Sequence, residues 1–391
     1  MDVLNNPEHI MTQFNLNSLA KHTKVDEEKL YLIEGMLPIV SEKVQFELHS
    51  FDIVNEMEYA EKQDIPPAKV CPQCGRKYPG YENFCLDCSV KLKDIEEVNI
   101  KNVEVEHVFI CEGSDSLNDF KEILTPDNLV KINGFKFRKP EFNKIIKNIK
   151  STALKNLDNA IKENDINLDS LTILEKIILF TKAFVNVKYK SYGQELGYYS
   201  FNEIFVDDRQ LDSLQITTML HELTHFLIKE ILTQMLCMML DLSKTKEMES
   251  IITFIMSFSA ENCLIDEYAA HTVEGRFTLF GYQDYSSFLN IQNSLDRPAE
   301  EIEMLKTIGN TFANVVKGIV ESFVDDELLD EIKSQFRKDI LDDPDYAQLK
   351  FENCTLLNYT GFSKAIKFIL LDGFATASEN LDKLYEINDM W

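Results

Sequence analysis

The stretch LQITTMLHELTHFLIKEILTQML, residues 214–236, decides how the central part of this chain is expected to fold. Its apolar residues recur at the three- and four-residue spacing of an amphipathic helix, and no glycine or proline interrupts it. Asp212 and Gln215 stand three residues apart just before the apolar run, as in a capping box, and predict that the helix begins there. Within the helix, the pentapeptide HELTH places His221 and His225 on one face.

The HELTH segment predicts a zinc site, because two imidazoles on one helical face can bind the same ion. Glu222, next to the first histidine, would then reach a water molecule at the ion and take its proton as a general base. The alternative interpretation is an ordinary amphipathic helix in which His221 and His225 are satisfied by other partners.

A catalytic zinc site needs a third protein ligand and one position that stays open. Residues 248–277 predict a second helical stretch, which carries Glu267 and His271 one turn apart. Glu267 is the predicted third ligand, and His271 is expected beside it, where it could orient a ligand or bind a carboxylate. Two alternatives stay open: His271 as the ligand in a three-histidine site, and Glu267 on a solvated helix face.

The order of these elements and motifs resembles that of the gluzincin metallopeptidases. Tyr198–Val206 reads as a strand before the HELTH helix, and the second motif is Glu267-Tyr268-Ala269-Ala270-His271. The HtpX and CAAX-protease group has HExxH followed by E-Y-x-A-D, so His271 replaces the aspartate; soluble ImmA/IrrE-like peptidases share the strand–HExxH–Glu order. The resemblance covers about residues 195–280. It implies an α+β zincin-like domain that cleaves protein or peptide substrates, with the strand edge aligning an extended chain.

The residue that would stabilise an oxyanion at such a site is left open by the sequence. All histidines C-terminal to HELTH are accounted for by His271, so a further donor has to be a tyrosine or an arginine. Arg276, Tyr282, Tyr285 and Tyr359 are the candidates, and nothing in the sequence selects among them.

A cysteine quartet predicts a second, structural zinc ion. The ligands are two CxxC pairs with ten residues between them: Cys71, Cys74, Cys85 and Cys88. Each CxxC can form a tight turn that directs two thiolates at one tetrahedral ion. The stretch resembles small zinc-ribbon modules of the form CPxCG…FCxxCGxKL, with Ser89 in place of the second glycine. Two disulfides are the alternative, disfavoured by the intracellular character of the chain.

The first 65 residues predict a small helical unit. Leu19–Gly35 resembles the middle of a helix-turn-helix domain, but residues 1–65 hold five lysines, no arginine and thirteen acidic residues. That charge would repel phosphates, so the unit and the ribbon are expected to bind a protein partner rather than DNA. The net charge of −26 for the whole chain disfavours nucleic acid in the same way.

The remaining predictions concern layout and location. The chain is divided into a helical unit at 1–65, a zinc ribbon at 66–92 and an α+β zincin-like domain at 93–391. The last of these is expected to hold a strand at Val103–Cys111, with His107 in the core, and a basic helix opened by Pro140. No secretory signal and no uninterrupted membrane-length apolar stretch is apparent, so a cytoplasmic protein without a membrane partner is expected. A zinc peptidase is favoured over a catalytically silent zinc-binding scaffold because a silent site has no use for Glu222.

Overall fold

The structure is a computed structural model, and it describes most of the chain after residue 98 and short pieces before it. The described residues are 67–70, 73, 77–79, 83–85, 88–91, 93–94, 99–107, 113–189, 196–278, 286–339 and 356–390. The chain divides into two compact units, Met1–Glu97 and Val98–Trp391.

The described part of the first unit is a small antiparallel sheet. Its strands are β1 (Pro67–Val70), β2 (Lys77–Pro79) and β3 (Lys93–Asp94), in the order β2-β1-β3. The helical unit predicted at residues 1–65 lies outside the described residues.

The second unit is mostly helical, with a small mixed sheet. In its described part the helices are α1 (Phe120–Ile123), α2 (Pro126–Gly134), α3 (Lys139–Glu163), α4 (Ile173–Lys182), α5 (Asp212–Leu240), α6 (Lys246–Phe258), α7 (Ala260–Phe277), α8 (Ser286–Ser294), α9 (Ala299–Val320), α10 (Asp326–Asp339), α11 (Tyr359–Glu379) and α12 (Leu381–Asp389). The strands there are β4 (Asn186–Tyr189), β5 (Gly197–Ser200) and β6 (Glu203–Val206). This composition agrees with the predicted α+β class at that general level.

The sheet of the second unit has the order β4-β6-β5, with β4 parallel and β5 antiparallel to β6. The prediction of one strand over Tyr198–Val206 was wrong, because the chain reverses at Phe201 and Asn202. Both turn residues have a left-handed backbone, with φ of 44° and 63°, which matches the twist of a two-residue hairpin. In the described part of the chain β5 is therefore an edge strand.

The region before the sheet also differs from the sequence prediction. Residues 103–107 form no strand, and the rest of the strand predicted at Val103–Cys111 lies outside the described residues. His107 is half-buried, and its Nε2 lies 2.8 Å from the carbonyl oxygen of Lys182 at the end of α4. Strand β4, which pairs with β6 in the structure, was not predicted from the sequence.

Helix α5 carries the HELTH segment through the middle of the unit. Helices α4, α6 and α7 and strand β5 pack on it, so that residues on most of its circumference are buried, from Ile216 to Leu240. The predicted helix is confirmed, but its predicted cap was wrong: Leu211 is the N-cap, without a side-chain hydrogen bond, and Asp212 is the first helical residue. By length and composition α5 could cross a membrane, yet 83% of its apolar window is buried inside the protein, as in a core helix.

The second predicted helical stretch is broken at Ser259 into α6 and α7, which are bent by 95°. Ser259 has an extended backbone, and its side chain accepts a hydrogen bond from the N–H of Asn262, which caps α7. The bend turns α7 so that it packs along α5 and α9. Glu267 and His271 are therefore presented to the helix that carries HELTH.

The basic helix predicted to open at Pro140 is confirmed as α3. Pro140 lies in its first turn, and its buried side includes Ile145, Ile149, Ala153 and Leu157. Helices α11 and α12, near the end of the chain, pack on α6.

Candidate metal centre

The HELTH histidines and Glu267 meet between α5 and α7. Nε2 of His221 lies 3.7 Å from Oε2 of Glu267, and Nε2 of His225 lies 4.0 Å from Oε1 of the same carboxylate. One donor atom from each residue fits within 4.8 Å of the other two. Two imidazole nitrogens and a carboxylate oxygen are ligands that zinc prefers, so the donor set fits that ion.

Each HELTH imidazole meets a second carboxylate of α7 on its other nitrogen. Nδ1 of His221 lies 3.2 Å from Oε2 of Glu274, and Nδ1 of His225 lies 2.9 Å from Oδ2 of Asp266. In the neutral ring that binds a metal, a carboxylate against Nδ1 keeps the one proton on that nitrogen and leaves the lone pair on Nε2. Both rings are thereby held with Nε2 toward Glu267. Asp266 and Glu274 were not assigned a role from the sequence.

His271 lies in the same cluster and is almost fully buried. Its Nδ1 is 3.1 Å from Oε2 of Glu274, and its Nε2 is 3.9 Å from Oε2 of Glu267. The rings of His221 and His271 are 4.6 Å apart between centroids. His221, His271 and Glu274 also form a compact group of donors. The Nδ1–H groups of His221 and His271 both donate hydrogen bonds to the Glu274 carboxylate. These bonds account for the proximity of the three residues, so a second ion is not needed to explain it.

Glu222 is buried near His221, His225 and Glu267, and it also contacts strand β5. Burial raises the pKa of its carboxyl, and the backbone N–H of Tyr199 donates a hydrogen bond to it. The N–H of Asp207 bonds the carbonyl oxygen of Leu196 in the antiparallel ladder of β5 and β6. Because bonded and non-bonded pairs alternate in such a ladder, Tyr199 directs its N–H away from β6. This edge of β5, which pairs with no strand among the described residues, therefore faces the HELTH helix.

The electrostatics of the cluster are dominated by buried carboxylates. Burial lowers the pKa of the His225 imidazole, but Asp266 and Glu267 outweigh burial and raise the pKa to about 10. Burial acts to raise the pKa of Glu274, yet the hydrogen bonds from His221 and His271 hold the pKa below its usual value. A cluster with this excess of negative charge attracts cations, and a metal ion would compete with protons for it.

Lys229 is a further residue of this region that the sequence analysis did not consider. It follows His225 by one turn of α5, and its Nζ lies 4.5 Å from the ring centroid of Tyr199. Burial lowers the pKa of Lys229, while the charges of Asp266 and Glu222 act to raise it. The lysine thus places a positive charge between the edge strand and the histidine cluster.

The structure describes two of the four candidate oxyanion donors, Arg276 and Tyr359. Nη2 of Arg276 donates to Oδ1 of Asn310 at 3.0 Å, and the ring of Tyr359 lies against that of Phe142. Tyr282 and Tyr285 lie outside the described residues.

Half of the cysteine quartet is described. The N–H of Cys88 lies 3.4 Å from Sγ of Cys85, and the N–H of Ser89 bonds the carbonyl oxygen of Cys85. Ser89 has a φ of 54°, the left-handed conformation that a glycine adopts more easily. These contacts form a tight turn around Cys85, which is buried. Cys71 and Cys74 lie outside the described residues, so the ribbon stays a prediction.

Comparison with protein-family models, with curated proteins and with solved structures gave no match to this chain.

Proposed function

We propose that this chain is a zinc-dependent metallopeptidase with a zincin-like catalytic domain. The observation that carries the proposal is the convergence of His221, His225 and Glu267. The carboxylates of Asp266 and Glu274 contact Nδ1 of the two imidazoles, on the side of each ring opposite to Glu267. An ordinary amphipathic helix would not require both imidazoles to direct Nε2 at the same carboxylate. The Glu267 side chain is 23% exposed, whereas that of Glu274 is 3% exposed, so the centre is accessible to solvent from the Glu267 side.

A zinc ion held by His221, His225 and Glu267 would supply Lewis acidity, polarising a carbonyl group and lowering the pKa of water toward about 7. Glu222 is the general base in this proposal. It would remove the proton from the attacking water and pass it to the departing amine. Its burial suits this role, because a raised pKa makes the carboxylate a stronger base.

The edge of β5 that pairs with no described strand supports a peptide as the substrate. An extended chain can add to an exposed strand edge through main-chain hydrogen bonds, whatever its side chains. Tyr199 would then exchange its hydrogen bond with Glu222 for one with the substrate, because its N–H lies on that edge. This exchange would release Glu222 when a substrate binds and would place the peptide carbonyl beside the base.

The ribbon is proposed as a structural zinc site held by Cys71, Cys74, Cys85 and Cys88. The turn around Cys85 supports it, since an N–H group directed at a thiolate stabilises the charge that zinc requires. The ribbon and the helices expected at residues 1–65 are proposed as sites for a protein partner, in a cytoplasmic protein that binds neither membrane nor nucleic acid.

The proposed function is tested with the full chain loaded with zinc. Hydrolysis of fluorescein-labelled casein and of a peptide library is measured for the wild type and for Glu222→Gln. We expect Glu222→Gln to keep the zinc content and thermal unfolding midpoint of the wild type and to cut at a rate about 10²–10⁴-fold lower. Glu261→Gln is the matched control, because Glu261 lies on α7 but pairs with Arg297.

Three outcomes would contradict the proposal. Retained cleavage by Glu222→Gln would remove Glu222 from the mechanism. A wild type that binds zinc at the histidines but cuts nothing in a proteome-wide comparison of cleavage sites would indicate the silent scaffold. Absence of any zinc besides that held by the cysteines would remove the catalytic centre itself.

A further inference from the structure

Lys229 and the proposed base Glu222 lie on the same face of α5 and contact the same residue of β5. Lys229 follows Glu222 by seven residues, which is close to two helical turns and about 10 Å along the helix axis. The backbone N–H of Tyr199 bonds the Glu222 carboxylate, and Nζ of Lys229 lies 4.5 Å from the centroid of the Tyr199 ring. The ammonium group therefore lies beside the edge strand, further along α5 than the base.

Strand β5 and helix α5 run side by side in the same direction. A Cβ added at Gly197 would lie 2.5 Å from Cγ2 of Thr218. Two residues later on β5, the N–H of Tyr199 reaches Glu222, which is four residues later on α5. Two residues of a strand and four residues of a helix both rise about 6 Å. A peptide that pairs with this edge of β5 would therefore extend along α5, past both Glu222 and Lys229.

The ammonium group of Lys229 forms no ion pair with any residue that the structure describes. Two other lysines with little exposed surface are satisfied differently. Nζ of Lys182 donates to three backbone carbonyl oxygens, and Nζ of Lys244 contacts two carboxylates. Nζ of Lys229 contacts the face of the Tyr199 ring, which leaves most of its three N–H groups able to bind another acceptor.

The chemistry of this position favours an anionic ligand. Lys229 is partly exposed, so a ligand can reach it from solvent, and a carboxylate would form charge-assisted hydrogen bonds with it. Asp266 and Glu222 attract the ammonium group through space, but neither forms an ion pair with it. In an unmodified peptide the anionic groups are the C-terminal carboxylate and the side chains of aspartate and glutamate. A chain with a net charge of −26 repels such peptides in general, so binding one requires a local positive charge of this kind.

We propose that Lys229 binds a carboxylate of the peptide substrate and thereby selects acidic peptides or peptide ends. The proposal rests on the proposed function, because it names the substrate class of the same site. The distance of about 10 Å along α5 corresponds to about three residues of an extended chain, so the carboxylate would lie that far from the peptide bond beside Glu222. A terminal carboxylate would meet Lys229 when the peptide runs parallel to β5, and an acidic side chain would meet it in either direction.

The test measures peptide binding to the full chain, loaded with zinc and carrying Glu222→Gln so that bound peptides are not cut. The probes are pools of random peptides labelled with an uncharged dye. They are made with a free C-terminus or a C-terminal amide, and each of these with or without aspartate and glutamate. We expect loss of one of the two carboxylate sources to weaken binding about 10–100-fold, as loss of a hydrogen bond to a charged group does. The pool that loses affinity identifies the source.

Substitutions at Lys229 assign this preference to its charge. Lys229→Met should bind the acidic and the neutral pools equally, and Lys229→Arg should keep the preference because it keeps the positive charge. Lys229→Gln replaces Lys229→Met if the latter does not fold. Lys188→Met is the matched control, since Lys188 lies on β4 at the other edge of the sheet, where it pairs with Glu203, and its loss should leave the preference unchanged.

The outcomes separate this proposal from the proposed function. Equal binding of acidic and neutral pools, a preference that survives in Lys229→Met, or an equal loss of affinity for all pools in that variant would overturn the role of Lys229; cleavage by the wild type would still support the peptidase. A preference that Lys229→Met abolishes, in a protein whose wild type cuts nothing, would support the carboxylate site and overturn the peptidase. Absence of both binding and cleavage would overturn both.

Discussion

Nδ1 of His221 lies 3.2 Å from Oε2 of Glu274, and the same oxygen lies 3.1 Å from Nδ1 of His271. One buried carboxylate on α7 thus fixes the tautomer and the orientation of a histidine on α5 and of a histidine on its own helix. Glu274 stands three residues after His271 on α7 and makes the contact to the first HELTH histidine.

The first prediction concerns this shared carboxylate. Glu274→Gln keeps the size of the side chain but removes the charge that both N–H groups contact. We expect it to lower zinc affinity at the histidine centre about 10–100-fold, because the supporting partner of a ligand typically contributes that much. The measurement is a competition titration with a chelator of known affinity.

Glu261→Gln is the control for this substitution. Glu261 lies on the same helix, but Arg297 binds its carboxylate at 2.8 Å, away from the histidines. Equal loss of zinc affinity in the two variants would mean that Glu274 acts through the general charge of α7 and not through the rings.

The shared faces of the predicted ligands could be foreseen from the sequence because they depend on spacing within single helices. The four-residue interval of HELTH, and the place of Glu267 on the next helical stretch, require only the helical period. Glu274 carried a usable signal, since seven residues are two turns and put it on the face of Glu267. Asp266 carried no such signal, because it is the immediate neighbour of Glu267 and is therefore offset from it by about 100° around the helix axis. Only the packing of α7 on α5 brings Asp266 to His225.

The elements that could not be predicted depend on tertiary structure or on short polar signals. The β5–β6 hairpin turns at Phe201 and Asn202, which lack the glycine that usually marks such a turn. The break at Ser259 replaces a continuous helix because one serine caps α7 in the middle of an apolar run. Strand β4 alternates polar and apolar residues, but it is only four residues long, and an alternation this short does not by itself predict a strand.

The second prediction concerns the packing that positions Glu267. A Cβ added at Gly309 on α9 would lie 2.7 Å from the backbone oxygen of Ile265 and 3.2 Å from Cβ of Tyr268, on either side of Glu267. We expect Gly309→Ala to destabilise the protein by about 1–3 kcal/mol, as overpacking does, and to weaken zinc binding as α7 moves from α5. Chemical unfolding and the chelator titration measure the two effects.

Gly318→Ala on the same helix is the matched control. Apart from the neighbouring backbone of α9 itself, no described atom lies within 4 Å of a Cβ added at Gly318, so alanine there should stabilise α9 by about 0.5–1 kcal/mol. A loss of stability in Gly318→Ala as large as that in Gly309→Ala would show that crowding against α7 is not the cause.

The third prediction concerns a buried ion-pair network beside the edge strand. Nζ of Lys244 lies 2.6 Å from Glu230 on α5 and 2.8 Å from Glu249 on α6, and the Lys244 side chain is 5% exposed. Glu249 also accepts a hydrogen bond from Asn202 in the β5–β6 turn. Lys244→Met would leave two largely buried carboxylates without this ammonium, so we expect a loss of about 3–5 kcal/mol, measured by urea unfolding.

An exposed pair provides the comparison for Lys244. Lys317 and Glu321 form an ion pair at 3.0 Å, with side chains 39% and 50% exposed. Lys317→Met should cost less than about 1 kcal/mol. If both lysine substitutions cost the same, the burial of the Lys244 network contributes nothing to its strength.

The last prediction concerns pH. Asp207, between β6 and the HELTH helix, is fully buried, and Arg209 contacts both of its carboxylate oxygens. The hydrogen bonds from Arg209 lower the pKa of Asp207 to about 2. A folded-state pKa below the unfolded value means that the carboxylate stabilises the fold above the ordinary aspartate pKa, near about 4, and that this stabilisation is lost as pH falls toward 2.

Asp207→Asn removes the charge and should therefore be less stable than the wild type at neutral pH, by an amount that shrinks between about pH 4 and pH 2. Urea unfolding of both proteins across this range measures the difference. Arg209→Gln should show the same dependence on pH, because it removes the other member of the pair. A stability difference between wild type and Asp207→Asn that stays constant down to pH 2 would show that the aspartate acts through its shape and hydrogen bonds, since only an effect of its charge can disappear on protonation.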